Sequence, residues 1–265
     1  MKIIPTEDIR IVVRDRYGKA AEQGGMCCGT TSCCGGAMDV DAISKQIGYQ
    51  AEDLANLPEG TNLGLGCGNP LEHANVKSGE TVLDLGSGGG LDCFLAARAV
   101  GPSGHVIGVD MTPQMLAKAR GNAVKTGFTN VDFRLGEIEH LPVADNSVDL
   151  IISNCVINLS PDKPQVFCEA LRVLKPGGRM MVSDLVLRKP LSEKLKSSVE
   201  AYVGCVAGAS LKEDYLALMR TAGFSSVEIV QEHTYDVGLD FVGKDLAEEA
   251  IAAVVSVKVR AVKAS

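Results

Sequence analysis

Residues 82–90 read VLDLGSGGG, and no other stretch of this chain constrains the fold as much. An apolar, strand-like run enters a loop with glycine at 86, 88 and 90, and the helix-forming segment LDCFLAARAV (91–100) follows at once. Glycines so placed let the backbone turn sharply and bring bare peptide groups against a ligand at a helix amino terminus. The spacing also excludes a ligand class. A dinucleotide fingerprint requires glycine three positions after its second glycine, and that position here is Leu91.

The same rhythm continues downstream. Strand-like runs at 81–86, 105–110, 131–135, 148–153 and 179–185 alternate with helical patterns at 91–100, 112–127 and 163–174. Alternation of this kind predicts a mostly parallel, doubly wound sheet with helices on both faces. Thr112 and Pro113 read as the N-cap and first helical position of the second helix. Asp110 closes the second strand, 24 residues past Gly86, where a carboxylate can accept both hydroxyls of a ribose.

Three regions follow from these patterns: a leader over 1–75, a Rossmann-like core over 76–187, and an insertion with completing strands over 188–265. The leader holds an amphipathic stretch (6–18), a Gly/Cys-rich run (24–36) and a further helical candidate (39–47), and is expected to pack over the core. In the last region a predominantly helical segment (188–210) precedes a helix (212–222) and a strand (227–230). The closing AIAAVVSVKVRAVKA passes from a helix into alternating apolar and polar residues, which predicts a strand partly exposed at a sheet edge.

Composition bears on partners and compartment. A formal charge of −7 argues against nucleic acid or an anionic membrane surface, since either needs clustered Lys and Arg. No signal peptide and no apolar run of spanning length is visible, so a cytoplasmic location is expected. Nine cysteines in a reducing compartment are then not a disulfide framework and need another explanation. Cys93 and Cys168 fall at apolar helical spacing and read as core. Cys155 lies two residues past the fourth strand, on the sheet edge that carries ligands. Cys67 sits between glycines ahead of Asn69-Pro70, in what is expected to be a mobile loop, and Cys205 lies in the insertion.

Asp84-x-Gly86-x-Gly88-x-Gly90, taken with GLGCGNP (64–70), SNCVINLSPDK (153–163) and EAYVGCVAGAS (200–210), resembles the arsenite methyltransferase family, from about Arg14 to Lys258. The resemblance implies a class I methyltransferase fold and S-adenosylmethionine as cofactor. It also implies that Asp84, Gly86, Ser87, Gly88, Asp110, Met111 and Asn154 bind the cofactor, with Glu137, Ile138 and Glu139 at the adenine. Cys67, Cys155 and Cys205 would hold trivalent arsenic, supplied as arsenite or methylarsenite, and the methyl group would pass to the metalloid. Soft arsenic(III) prefers sulfur over oxygen, and three thiolates leave it a lone pair with which to attack, so no general base is expected. Transfer oxidises arsenic to the pentavalent state; Cys67 and a second thiolate would then reduce it by forming a disulfide, reset by thioredoxin or glutathione.

In the leader run MCCGTTSCCGG, Cys27, Cys28, Cys33 and Cys34 depart from the usual zinc-ligand spacing. Three roles stay open for them: relay of arsenite, a redox partner for resetting the thiols, or a zinc or other metal site. Two further readings of the whole chain also stand, a methyltransferase for a small organic acceptor and a thiol-rich metalloid- or zinc-sequestering protein.

Overall fold

The computed structural model describes residues 6–23, 40–55, 57–235 and 244–265. In chain order the elements are α1 (Thr6–Gln23), α2 (Val40–Gln46), α3 (Ala51–Ala55), β1 (Thr81–Leu85), α4 (Leu91–Val100), β2 (His105–Asp110), α5 (Pro113–Thr126), β3 (Val131–Leu135), β4 (Val148–Asn154), α6 (Lys163–Val173) and β5 (Leu174–Leu187). There follow α7 (Glu193–Lys196), α8 (Val199–Val203), α9 (Lys212–Ala222), β6 (Ser226–Thr234), α10 (Lys244–Ala253) and β7 (Val254–Val262). Seven strands make one sheet in the order β3-β2-β1-β4-β5-β7-β6. All neighbouring pairs are parallel except those made by β7, which runs against both β5 and β6.

The expected doubly wound architecture is present because the central strands carry apolar side chains toward both faces. Leu83, Leu85, Val109 and Ile151 pack beneath Phe167, Ala170 and Tyr215 of α6 and α9. Their alternates Val82, Val106, Leu150 and Ile152 pack against Phe94, Ala97 and Leu116 of α4 and α5. Strands buried on both faces in this way read as nearly continuous apolar runs. Phe167 meets Tyr215 edge to face at 5.5 Å, which fixes how α6 and α9 cross the sheet.

Three expectations are corrected. β7 is not an edge strand: it lies between β5 and β6 and is buried almost throughout. Its polar alternates misled because they have partners inside the fold. Ser256 Oγ donates to the Cys67 carbonyl at 2.9 Å, and the Lys258 ammonium, 1% exposed, pairs with Glu72. The segment 188–210 is mostly not helical. It holds only the short α7 and α8, begun by the Ser192 and Ser198 side-chain caps, and is tied off at its base where Leu187 bridges to Leu211. Cys168 is exposed rather than in the core, because it lies on the face of α6 opposite Val166, Phe167, Ala170 and Val173.

The described part of the leader packs on the core. α1 lies against α5, and the Tyr17 hydroxyl donates to the Val203 carbonyl at 3.2 Å, so leader and insertion meet. No helix among the described residues is long and apolar enough to cross a membrane.

Candidate functional site: a ligand cavity bordered by a cluster of three thiols

The carboxyl ends of β1, β2 and β4 open into one cavity, where open α/β sheets bind ligands. Gly86, Gly88 and Gly90 all have left-handed backbone (φ 72°, 51° and 94°), which produces the sharp turn from β1 into α4. Asp110 braces this turn: one carboxylate oxygen accepts from Gly88 N–H at 3.0 Å and the other from Thr112 N–H at 2.8 Å. Thr112 is the N-cap residue of α5 by position but makes no side-chain cap bond, while Pro113 takes the first turn as expected.

Of the residues expected to bind the cofactor, Asp84, Gly86, Ser87, Gly88, Asp110, Met111, Ile138, Glu139 and Asn154 line the cavity. Glu137 does not. Its half-exposed side chain lines a neighbouring recess with Arg14 and Gln114 and sits 3.9 Å from Arg10. Glu139 is buried, accepting from Arg10 at 3.1 Å and from the Ser160 hydroxyl at 2.5 Å. Arg10, Val13 and Tyr17 bring α1 across the cavity, a contribution of the leader that its sequence pattern gave no means to assign.

The chemistry of this lining fits S-adenosylmethionine. Ser87 Oγ and Thr61 Oγ1 both face the cavity, buried and without a hydrogen-bond partner. Orphaned hydroxyls in a cavity wall are what a polar ligand would satisfy. Asp84 and Asp92 are buried side by side; burial raises both, Asp92 to about 6, and their mutual repulsion lifts Asp84 further. A cationic ligand group at this point would relieve that penalty.

Asn154, at the end of β4, ties the cavity to the thiols. Its Nδ2 donates to the Tyr49 hydroxyl at 2.8 Å and to the Gly68 carbonyl at 2.7 Å, while its Oδ1 accepts from Cys67 N–H at 3.1 Å. The glycines around Cys67 therefore serve close approach rather than mobility. A Cβ at Gly66 would lie 2.6 Å from Asn154 Nδ2, and one at Gly68 would lie 1.9 Å from Ser183 Oγ. The loop is stitched to β4, β5 and β7, which corrects the expectation of a mobile segment.

Cys67, Cys155 and Cys205 are gathered together and buried, at 0%, 7% and 3% exposure. Cys155 stands between the other two, its sulfur within 4.8 Å of the Cys67 sulfur and its carbonyl facing Cys205 Sγ. Cys67 Sγ donates to the Ser183 carbonyl at 3.5 Å, and Cys205 Sγ donates to the Cys155 carbonyl at 2.8 Å. Cys155 lines the cavity; its partners are not part of that lining. The neighbouring thiols of Cys205 and Cys67, then burial, push the Cys155 thiol well up, and burial raises Cys67, so both rest protonated. Cys155 and Cys205 also adopt left-handed backbone (φ 57° and 64°), a conformation costing roughly 1–3 kcal/mol for a non-glycine residue and found preferentially at functional sites.

Two groups of this centre had no signal strong enough to be singled out. Asp184, near the carboxyl end of β5, brings a carboxylate oxygen within 4.8 Å of both Cys67 and Cys155 sulfurs. Burial raises it to about 7 despite donors from Asn158, Leu185 and Tyr215. Lys163, the last residue of the SNCVINLSPDK segment, is partly buried alongside and donates to the Gly208 carbonyl at 2.7 Å. Cys93 is core as expected, its thiol donating to Asp84 at 3.2 Å. Cys27, Cys28, Cys33 and Cys34 lie outside the described residues.

Comparison with known proteins converges on the same chemistry. A methyltransferase domain family matches residues 76–223. The chain is 47% identical over 95% of its length to an arsenite methyltransferase of Halobacterium salinarum and 40% identical over 85% to one of Aquipseudomonas alcaligenes, spanning 67% and 64% of those proteins. Among solved structures it is similar to an arsenic(III) S-adenosylmethionine methyltransferase from Chlamydomonas reinhardtii, with a TM-score of 0.67 at 36% identity over 85% of this chain and 73% of that one.

Proposed function

Because this chain belongs to the arsenite methyltransferase family, we propose that it transfers the methyl group of S-adenosylmethionine to trivalent arsenic held on Cys67, Cys155 and Cys205. The observation that carries this reading is the meeting of three buried thiols, distant in sequence, of which Cys155 borders the cavity that Asp84, Ser87 and Asp110 line. The other two readings lack such support: an organic acceptor would need no thiol cluster, and a sequestering protein would need no cofactor cavity.

When bound, S-adenosylmethionine supplies an electrophilic methyl group on a sulfonium. This chain's part is to hold and orient. Ser87, Thr61 and Asp110 offer polar groups to the donor, and α1 forms part of the cavity wall through Arg10, Val13 and Tyr17. Arsenous acid is neutral, and Cys67 and Cys155 rest protonated, so binding is a balanced exchange. Each arsenic–sulfur bond forms as an arsenic–oxygen bond breaks, and the thiol proton leaves with hydroxide as water. Arsenic so bound keeps a lone pair, and Cys155, which borders the cavity, sets its distance to the donor. Methylation takes two electrons from arsenic. Cys67 and a second thiolate return them by forming a disulfide, which a thiol reductant of the thioredoxin or glutathione class reopens in a reducing cytoplasm.

Incubation with arsenite, labelled S-adenosylmethionine and thiol reductant, with speciation of products, tests the proposal directly. Cys155→Ser and Cys205→Ser should each abolish methylation of arsenite and methylarsenite with cofactor affinity retained. Cys67→Ser should lose the first methylation more completely than the second. Full activity in any of the three overturns the assignment.

A further inference from the structure

The geometry points to a second occupant of the thiol pocket: a borderline-soft divalent cation, Zn2+ or Cd2+, ligated by Cys67, Cys155 and Asp184, that closes the acceptor site to arsenite. The carboxylate of Asp184 is the key observation. One of its oxygens and the sulfurs of Cys67 and Cys155 all lie within 4.8 Å of one another, and all three residues are buried. A tetrahedral zinc site has ligand bonds of about 2.0–2.3 Å, which place donors about 3.5–3.8 Å apart, so these donors need to close by about 1.3 Å at most to share an ion. Cys205, whose thiol donates to the Cys155 carbonyl at 2.8 Å, is not one of these three donors, and water completes the fourth position.

This donor set distinguishes the two occupants. Arsenic(III) makes three bonds to sulfur and keeps its remaining direction for a lone pair, so it has no use for Asp184 as a ligand. A closed-shell divalent ion fills four positions and accepts carboxylate oxygen beside thiolate. Asp184 is also oriented as ligating carboxylates are, with Asn158 and Leu185 donating to Oδ1 at 2.8 and 2.9 Å and Tyr215 to Oδ2 at 3.0 Å. The partly buried Lys163 ammonium lies near enough to act on both Asp184 and Cys205 and offsets the negative charge that such a site gathers. No electrons move: each thiol that ligates the ion releases its proton to solvent. Ion uptake stands independently of arsenic methylation; only the inhibition that follows rests on the function proposed above.

The test uses the full-length, thiol-reduced protein without cofactor. Zn2+ is titrated against a chromophoric chelator, and Co2+ serves as a probe whose thiolate charge-transfer absorption reports sulfur ligation. Asp184→Asn should weaken Zn2+ binding by about tenfold or more while arsenite affinity changes by less than about threefold. The double variant Cys67→Ser/Cys155→Ser should lose the site altogether. Unchanged Zn2+ affinity in Asp184→Asn, tight Zn2+ undiminished in the double variant, or Zn2+ and arsenite weakening in step would each overturn the proposal. A wild-type measurement covers failure of a variant to fold: arsenite-saturated protein should take up one equivalent of Zn2+ fewer, and equal uptake sinks the shared site. In turnover, Zn2+ should compete with arsenite and not with S-adenosylmethionine. Were the chain inactive on arsenite, the uptake experiments would still decide the cation site.

Discussion

Adding one methyl group at Gly68 tests whether the placement of Cys67 is set by steric contact with the sheet. The backbone at Gly68 is not left-handed, so the question is one of space alone. A Cβ there would lie 1.9 Å from Ser183 Oγ and 3.1 Å from Ser183 Cβ. Rotating the serine hydroxyl away relieves the first contact and leaves the second, still well inside the roughly 3.5–4.0 Å at which carbon atoms attract. Ser183 belongs to β5, paired on both sides by β4 and β7, so the loop must give rather than the sheet. Cys67 is the next residue, and its bonds to Asn154 and Ser256 would stretch as it lifts. Overpacking of this kind costs about 1–3 kcal/mol, and a displacement near 1 Å at a reacting group costs on the order of 100-fold in rate.

Gly68→Ala should therefore lower the initial rate with arsenite roughly 10- to 100-fold, with a fall in Tm of a few degrees. The control lies across the contact. Ser183 Oγ is buried without a partner, so Ser183→Gly forfeits no hydrogen bond and should be close to wild type in rate. In combination it removes the opposing Cβ and should restore most of the activity lost in Gly68→Ala. Wild-type rates in Gly68→Ala, or a loss that Ser183→Gly leaves untouched, would refute the steric account.

Three further outcomes follow from the geometry. Asp110→Ala should weaken S-adenosylmethionine by roughly tenfold or more, measured by calorimetry, while arsenite binding to the thiols is unaffected. In the pair between Lys258, 2% exposed at its side chain, and Glu72, 43% exposed, Glu72→Ala should destabilise more than Lys258→Met. The former strands a buried ammonium, at about 3–5 kcal/mol, whereas the latter leaves a carboxylate that can turn to water; chemical denaturation compares them. Finally, burial lifts Asp184 from an ordinary 3.8 to about 7, so its neutral form is favoured in the fold. That preference is intact below about pH 4 and is lost as pH rises through about 7, at up to about 4 kcal/mol. Asp184→Asn should flatten this part of the stability profile, and an unchanged slope would contradict the burial argument.

How far the sequence announced these features depended on whether the signal was local. β2, β3 and α4 fall at their predicted residues, because an apolar strand core and a glycine-bounded helix are written in consecutive positions. The glycines of the β1–α4 turn and the carboxylate of Asp110 were legible for the same reason. Asp184 and Lys163 were not. A lone acidic residue within an apolar strand and a lysine opening a helix carry no functional pattern of their own, and their meaning lies in the thiols that other segments bring beside them.

The misread edge of the sheet and the misread loop at Cys67 have one physical cause. Alternation of Ser256 and Lys258 with valines is the pattern of a strand with one face in water, yet that face is dry because residues 67–72 lie on it. Those residues read as mobile because glycines flank Cys67, yet glycine is required there so that the backbone can reach Ser183 and Asn154. Each half supplies what the other lacks: β7 gives the loop its donors, and the loop gives β7 its carboxylate and carbonyl. Such reciprocity between segments nearly 190 residues apart leaves no trace in either alone. It makes the sheet, rather than the loop's own conformational preference, the element that sets where the first thiol stands.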